Sequence, residues 1–314
     1  MIDEPPAVFP SSRALAPILA MVARYAAYPL PFPILITGAP GSGKTVIARH
    51  LHDLTYQPRA SEGHPFVVFN AAETPREHEM SYLFGHSRGA FTGAVETRKG
   101  ALERANNGTL FIDEISGLSP LAQQLLLTSL PTGRFRRMGD DREIAVRFRF
   151  IGATNVDLEG MVTAGSFKRD LLDRLGPFGF RMPSLAERRD EILPLARGFL
   201  TWLAQQDRRG LRYRLSRDTE RTLLRAPWPG NLRQLWFVCL HAAVLSDQEV
   251  LHVAALPEWL VDGDRGPQHG LIDDQRVQTM LVETGGNRSE AALRLGVTRR
   301  TVQRHANRAL EGGG

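Results

Sequence analysis

The chain has 314 residues, 39 of them basic and 34 acidic, for a formal net charge of +5. At 42% hydrophobic and 23% charged it has the composition of a folded globular chain long enough for about two domains, which excludes disordered and fibrous classes. The one cysteine, Cys239, excludes an intrachain disulfide and a cysteine-rich zinc site, the acidic start Met1-Ile-Asp-Glu is a poor signal peptide, and the apolar stretch Ala14–Ala23, broken by Pro17 and stopped by Arg24, is too short to span a membrane.

Residues 12–27 read as an amphipathic helix after a Ser11-Ser12 start signal. Pro31–Thr37 is a short apolar run before a glycine-rich turn, the pattern of a buried strand, and Val46–Leu54 continues as a helix. Phe66–Phe69, Thr109–Asp113, Arg147–Thr154 and Phe178–Arg181 are further strands with helical stretches between them, which predicts a mostly parallel sheet covered on both faces. After Pro183 the pattern is helical throughout, with helices over Glu191–Gln206, Ser216–Ala226 and Asn231–Ser246; Cys239 lies in the last as a buried hydrophobe. Val261–Gly270 is polar and glycine-rich, a linker, and Asp273–Ala309 reads as a compact helical unit before a frayed Gly-Gly-Gly end.

Gly38-Ala39-Pro40-Gly41-Ser42-Gly43-Lys44-Thr45 fits the phosphate-loop pattern in full and lies between a predicted strand and a predicted helix, as that motif requires. Its glycines let backbone N–H groups face phosphate oxygens, Lys44 brings a compact charge to the outer phosphates, and Thr45 offers a hydroxyl to Mg²⁺. The strand Thr109–Asp113 ends in Asp113-Glu114. Asp113 is placed to hold Mg²⁺ through water and Glu114 to polarise the attacking water, so ATP and Mg²⁺ are the expected substrate and cofactor. Asn155 ends the next strand, where its amide would reach the γ-phosphate or the water.

Between these motifs stands Leu83-Phe-Gly-His-Ser-Arg-Gly89-Ala90-Phe91-Thr92-Gly93-Ala94. With Gly108–Glu114, Pro183–Arg188 and Trp228–Arg233, it resembles the AAA+ domain of the bacterial enhancer-binding proteins that activate sigma-54 RNA polymerase, over roughly residues 10–260. The resemblance implies an α/β AAA+ P-loop ATPase with a parallel sheet (10–182), an α-helical lid subdomain (183–260), a hexameric ring with ATP at its subunit interfaces, and contact with sigma-54 through Gly89–Ala94. Two glycines give that loop backbone freedom and Phe91 offers an aromatic anchor with Thr92 beside it. The same resemblance gives Asn70 the task of holding Glu114 out of position, and Arg233 that of sensing the γ-phosphate. The trans-acting cations fall in Phe167–Leu175: Arg174 matches the second arginine, while Lys168 stands at the first with Arg169 next to it. Lysine lacks the planar fork of an arginine finger, and the chain uses lysine only at Lys44, Lys99 and Lys168, which makes Lys168 a departure of note. Thr45, Asn106-Asn107 and Ala186 are smaller departures that remove no catalytic group.

In the last segment Asn287 is placed to cap a helix with Ala291, Ala292 and Leu295 inward, Gly296 to make a turn, and Thr298 to cap a second helix with Val302 inward. From Arg288 to Arg308 there are six arginines and one acid, Glu290. The segment resembles the Fis-like helix-turn-helix of the same activators, expected over 271–310 after a linker at 261–270. Asn287, Arg288, Ser289, Thr298, Arg299, Arg300, Thr301, Gln303 and Arg304 are its candidate contacts to double-stranded DNA. About ten residues precede the first predicted helix. The expectation is therefore a cytoplasmic activator without a receiver domain, working with sigma-54 holoenzyme, upstream DNA and copies of itself, and controlled by expression, assembly or a regulatory protein in trans.

Overall fold

The structure is a computed structural model and describes residues 12–56, 63–261, 274–284, 291 and 302. Helix α1 (Ala16–Ala27) follows Ser12, whose hydroxyl accepts from Ala14 N at 3.1 Å. Strand β1 (Ile34–Thr37) starts later than the sequence suggests, because Pro31 and Pro33 have no N–H for a ladder. Helix α2 (Lys44–Tyr56) starts earlier, directly out of the phosphate loop. There follow β2 (Phe66–Asn70), α3 (Arg76–Phe84), β3 (Gly85–His86), β4 (Arg98–Lys99), α4 (Ala101–Arg104), β5 (Thr109–Asp113) and α5 (Pro120–Thr132). Next come β6 (Arg134–Arg136), β7 (Glu143–Ala145), β8 (Arg149–Thr154), α6 (Leu158–Thr163), α7 (Arg169–Leu175) and β9 (Phe180–Arg181). Strand β8 begins at Arg149 and not at Arg147, because Arg147 is tied into a turn: its N–H donates to Asn106 Oδ1 at 2.9 Å and its carbonyl accepts from Asn107 N at 2.7 Å. Phe178 lies in a 3-10 turn over Gly176–Phe178, which delays β9 to Phe180.

The main sheet is parallel, in the order β2-β5-β8-β1-β9. Its strands bury both faces. Ile34, Ile36, Phe111, Ile151 and Ala153 pack with Val22 of α1 and with Ile47 and Leu51 of α2. The alternate residues Leu35, Leu110, Ile112 and Phe150 pack on the other side with Phe84, Leu102, Leu126 and Leu171. This two-residue alternation is what a covered parallel sheet requires. The antiparallel pairs β3–β4 and β6–β7 are not expected from the sequence; each strand is two or three residues long, with β3 buried and β4 exposed, and β6–β7 mostly solvent-facing.

The second part is built from α8 (Ile192–Gln206), β10 (Arg214–Leu215), α9 (Arg217–Arg225), α10 (Asn231–Leu245), β11 (Val250–Leu251) and α11 (Glu258–Val261). Its own core joins Leu195, Phe199, Leu223, Trp228, Leu235 and Val238. Cys239 is buried there, and burial pushes its thiol up to about 12. Helix α12 (Asp274–Glu283) places Val277 against Ala291 and Val302, two of the four residues expected to face inward in the last segment, and all three are buried; Ala292 and Leu295 lie outside the described residues. Among the described residues no helix is long and apolar enough to cross a membrane.

Trp228 is 1% exposed, and its indole donates to the Leu223 carbonyl at 2.8 Å. Trp228→Ala is expected to lower stability by about 3–5 kcal/mol, read as a shift of the urea midpoint.

Candidate active site

The carboxyl ends of β1, β5 and β8 converge, the usual place for a ligand on an open parallel sheet. After β1 the loop Gly38–Gly43 turns into α2. Lys44 Nζ is buried there and donates to the carbonyls of Gly38 at 2.9 Å and Ala39 at 3.4 Å. It lies 3.9 Å from Glu114 Oε1. Burial pushes the Lys44 ammonium down from its usual range, opposed by the charges of Glu114 and Asp113, while Arg233 on α10 adds to the depression. Ser42 is buried and its Oγ has no hydrogen-bond partner among the described residues. A lone buried hydroxyl beside left-handed glycines fits a phosphate cradle. Gly41 is obligatory: with φ +70°, a Cβ there would sit 2.5 Å from the Gly230 carbonyl.

The acids stand beside the loop. Asp113 Oδ1 accepts from Glu114 N at 3.1 Å, and Glu114 holds φ +50°, a left-handed conformation that costs about 1–2 kcal/mol for a residue with a Cβ. Its Oε2 accepts from the Asn155 backbone N–H at 3.4 Å. Asn70 lies beside Asp113 in the ladder. Its Oδ1, however, accepts from Ala72 N at 3.0 Å and Glu73 N at 3.3 Å, so its carboxamide oxygen closes its own turn. Asn70 and Glu114 share no hydrogen bond among the described residues. Thr45 is exposed in the first turn of α2. No group of three or more His, Cys, Asp or Glu converges among the described residues. The Thr45 hydroxyl and the Asp113 carboxylate, at the start of α2 and the end of β5, are the oxygen donor types that Mg²⁺ takes.

The second subdomain grips this loop through residues that sequence reasoning assigns no role. Asn231 Nδ2 donates to the Pro40 carbonyl at 2.9 Å, Leu232 N to the Gly41 carbonyl at 3.0 Å, and Arg188 Nη2 to the Ser42 carbonyl at 2.6 Å. Asn231 Oδ1 also accepts from Leu185 N at 2.7 Å, and Asn231 itself holds φ +53°. Arg188 is steadied by Glu191 at 3.0 Å, a pair 2% and 1% exposed. Burial pushes the guanidinium down and the carboxyl up, so desolvation weighs more than mutual attraction at both groups. The sequence signal available was the left-handed turn implied by Trp228-Pro-Gly-Asn.

Of the three candidate trans-acting cations, Arg169 is engaged with Glu159 at 2.7 Å and lies 3.8 Å from Asp173. Lys168 caps α7 and its backbone N–H donates to Gln123 Oε1 at 2.9 Å. The side chains of Lys168 and Arg174 make no ion pair among the described residues, and Arg174 is exposed.

The segment Gly89–Ala94 closes on itself through Gly89 N to Ala94 O at 2.8 Å and rises from the β3–β4 pair. Gly89 at φ +81° and Gly93 at φ +98° supply the turns. Thr92 is exposed, Ala94 is buried, and Phe91 is 41% exposed with its ring edge-on to His86 at 5.0 Å. Phe91 thus has an intramolecular contact that the sequence does not suggest. The base docks on the turn between β6 and β7: Ser87 N donates to Met138 O at 3.0 Å, and Ser87 Oγ to Asp140 Oδ2 at 3.0 Å. Asn287, Arg288, Ser289, Thr298–Thr301, Gln303, Arg304 and the linker from 262 lie outside the described residues.

Three families match the chain: the Sigma-54 interaction domain over residues 8–180, the AAA+ ATPase lid domain over 186–270, and the bacterial regulatory protein, Fis family, over 271–305. The transcriptional regulatory protein ZraR of Klebsiella oxytoca is 36% identical over 302 residues, covering 93% of this chain and 66% of that protein. The Nif-specific regulatory protein of Azotobacter vinelandii is 37% identical over 280 residues, 86% of this chain and 52% of that protein. The chain therefore spans just under two thirds and about half of these relatives. Among solved structures, NtrX from Brucella abortus in complex with ATP matches with a TM-score of 0.70 and 29% identity, over 96% of this chain and 68% of that one. A RuvB mutant of Thermotoga maritima, at 16% identity and a TM-score of 0.53, shares the fold. The α/β part and its helical lid together are an AAA+ fold.

Asn231→Gly accommodates the left-handed φ while deleting both carboxamide bonds. It is expected to weaken ATP binding about tenfold, measured by isothermal titration, because the Pro40 carbonyl loses its lid partner.

Proposed function

The chain belongs to the sigma-54-interacting AAA+ family of bacterial transcription regulators, and from that premise we propose that it is a DNA-bound activator that hydrolyses ATP to remodel the closed complex of sigma-54 RNA polymerase. The observation that carries this reading is the pairing of a complete phosphate loop and acid pair with a self-closed Gly89–Ala94 loop that offers Thr92 and part of Phe91 to solvent.

In this mechanism the N–H groups of residues 38–45 cradle the triphosphate. The Lys44 ammonium exchanges its bonds to Gly38 and Ala39 for outer phosphate oxygens. Thr45 and Asp113 would hold Mg²⁺, which when bound neutralises phosphate charge. Glu114 orients a water and takes its proton as the water oxygen bonds to the γ-phosphorus and the bond to the β–γ bridging oxygen breaks, giving ADP and phosphate. Asn155 positions the water or the γ-phosphate, Asn70 relays the state of Glu114 toward the loop after α3, and Arg233 reads the γ-phosphate from the lid. In a hexameric ring Arg174 reaches the neighbouring site, with Lys168 beside it. Arg169 stays engaged with Glu159 in this arrangement.

Gly89, Ala90, Phe91, Thr92, Gly93 and Ala94 form the contact to sigma-54, with Phe91 leaving His86 to become the aromatic anchor. The arginine-rich last segment holds upstream DNA, the work takes place in the bacterial cytoplasm, and control by a protein in trans suits the same design.

Glu114→Gln is expected to keep ATP binding and lower turnover by about 10²–10⁴-fold in a coupled ATPase assay. Thr92→Ala is expected to leave ATP turnover intact and to abolish open-complex formation on a sigma-54 promoter. Equal loss of both activities would reject the assignment of the loop, and ATP hydrolysis without any nucleotide-dependent contact to sigma-54 would point to another remodelling target.

A further inference from the structure

The amino ends of β5 and β8, at the opposite edge of the sheet from the phosphate loop, border a cavity of about 890 Å³. One wall is apolar, from Ala23 and Ala26 of α1 to Leu54 of α2. The polar wall holds Tyr56, Arg147 and Arg149.

Arg149 is the unusual member. It is 3% exposed, yet its Nε and Nη1 are buried with no hydrogen-bond partner among the described residues. The guanidinium makes no ion pair among the described residues; the Phe32 ring centroid lies 5.5 Å from the guanidinium carbon. Among the described residues no acidic side chain lines the cavity, and Arg147 at the rim adds a second positive charge. Burial pushes the Arg149 guanidinium down and the Tyr56 phenol up. Tyr56 already spends its hydroxyl proton on the Gly108 carbonyl at 2.8 Å. A buried cation without a counter-charge is among the most unfavourable features a fold can carry, whereas a paired one is tolerated. The backbone around it is fixed: Arg149 N donates to the Gly108 carbonyl at 2.9 Å, and a Cβ at Gly108 would lie 2.0 Å from the Pro65 carbonyl. The guanidinium has no counter-charge among the described residues, and a bound anion would supply one.

We propose that this cavity binds a small organic carboxylate, its oxyanion on Arg149 and its apolar body against the alanines of α1. A planar guanidinium matches a carboxylate, and the half-apolar lining and the volume suit a small molecule with an apolar body. The cavity lies at the far ends of the strands that carry Asp113-Glu114 and Asn155, so it is separate from the nucleotide site.

The test uses the full chain with saturating ADP, which occupies the phosphate loop, and benzoate as the probe. Benzoate is expected to bind saturably by titration calorimetry and to raise the melting temperature by about 3 °C at ten times its dissociation constant. Arg149→Met, which removes the charge at similar volume, is expected to melt no lower than wild type in anion-free buffer and to lose the benzoate shift. Arg147→Gln, at an exposed position, is expected to keep the shift with affinity reduced several-fold. Absence of saturable benzoate binding at millimolar concentration, or binding that survives Arg149→Met, overturns the proposal. An Arg149-dependent shift produced by inorganic phosphate but not by benzoate overturns the assignment to a carboxylate.

Discussion

Three successive carbonyl oxygens of the phosphate loop, those of Pro40, Gly41 and Ser42, are each claimed by a donor from the helical lid. This constraint underlies the rest of the site. A glycine-rich loop has many backbone orientations open to it, and conformational freedom there would have to be surrendered on binding. Drawing the carbonyls toward the lid fixes the peptide planes in advance. The same contact makes the lid an integral part of the nucleotide site, because whatever tilts Arg188 or Asn231 also tilts the peptides that face phosphate.

The lid's grip is held by features that cost free energy locally. Trp228 and Asn231 both sit at positive φ, at +50° and +53°, within four residues of each other. The Arg188–Glu191 pair is buried at the junction, where desolvation is unfavourable for both groups. Glu114 adds a third left-handed residue beside Asp113. Such strain persists only where the surrounding structure over-determines it, here the packed lid core on one side and the 3-10 turn after Glu114 on the other. The Glu114 carboxylate and the lid clamp are thus both set by backbone conformations that an isolated segment would not keep.

Much of this was legible in the sequence. The phosphate loop, Asp113-Glu114 and the strands of the sheet announce themselves because each is a local pattern: a glycine spacing, or an apolar run ending in a turn. What was illegible is non-local. Asn231 meets Pro40 across 191 positions, and no periodicity records such a contact. Arg149 in the run Arg-Phe-Arg-Phe looks like the outward face of an alternating strand, whereas every residue of β8 is buried because the strand is central. The β3–β4 and β6–β7 pairs are too short and too polar to stand out. Asn70 has the right place beside Asp113, but its side chain follows the ordinary preference of asparagine for its own turn.

One close approach bears on how force leaves the molecule. Gly139, in the turn between β6 and β7, faces Ala90 so tightly that a Cβ on the glycine would lie 2.6 Å from the Cβ of Ala90. Arg137 in the same turn is forked onto Glu103 of α4, with bonds of 2.7–3.0 Å. The protruding loop therefore does not hinge alone on its glycines. With no clearance between Ala90 and Gly139, the two hairpins pack directly on one another, and the lower one is tied to α4 through the Arg137–Glu103 fork. The glycines shape the tip, and the contact beneath it couples the loop to the β6–β7 turn.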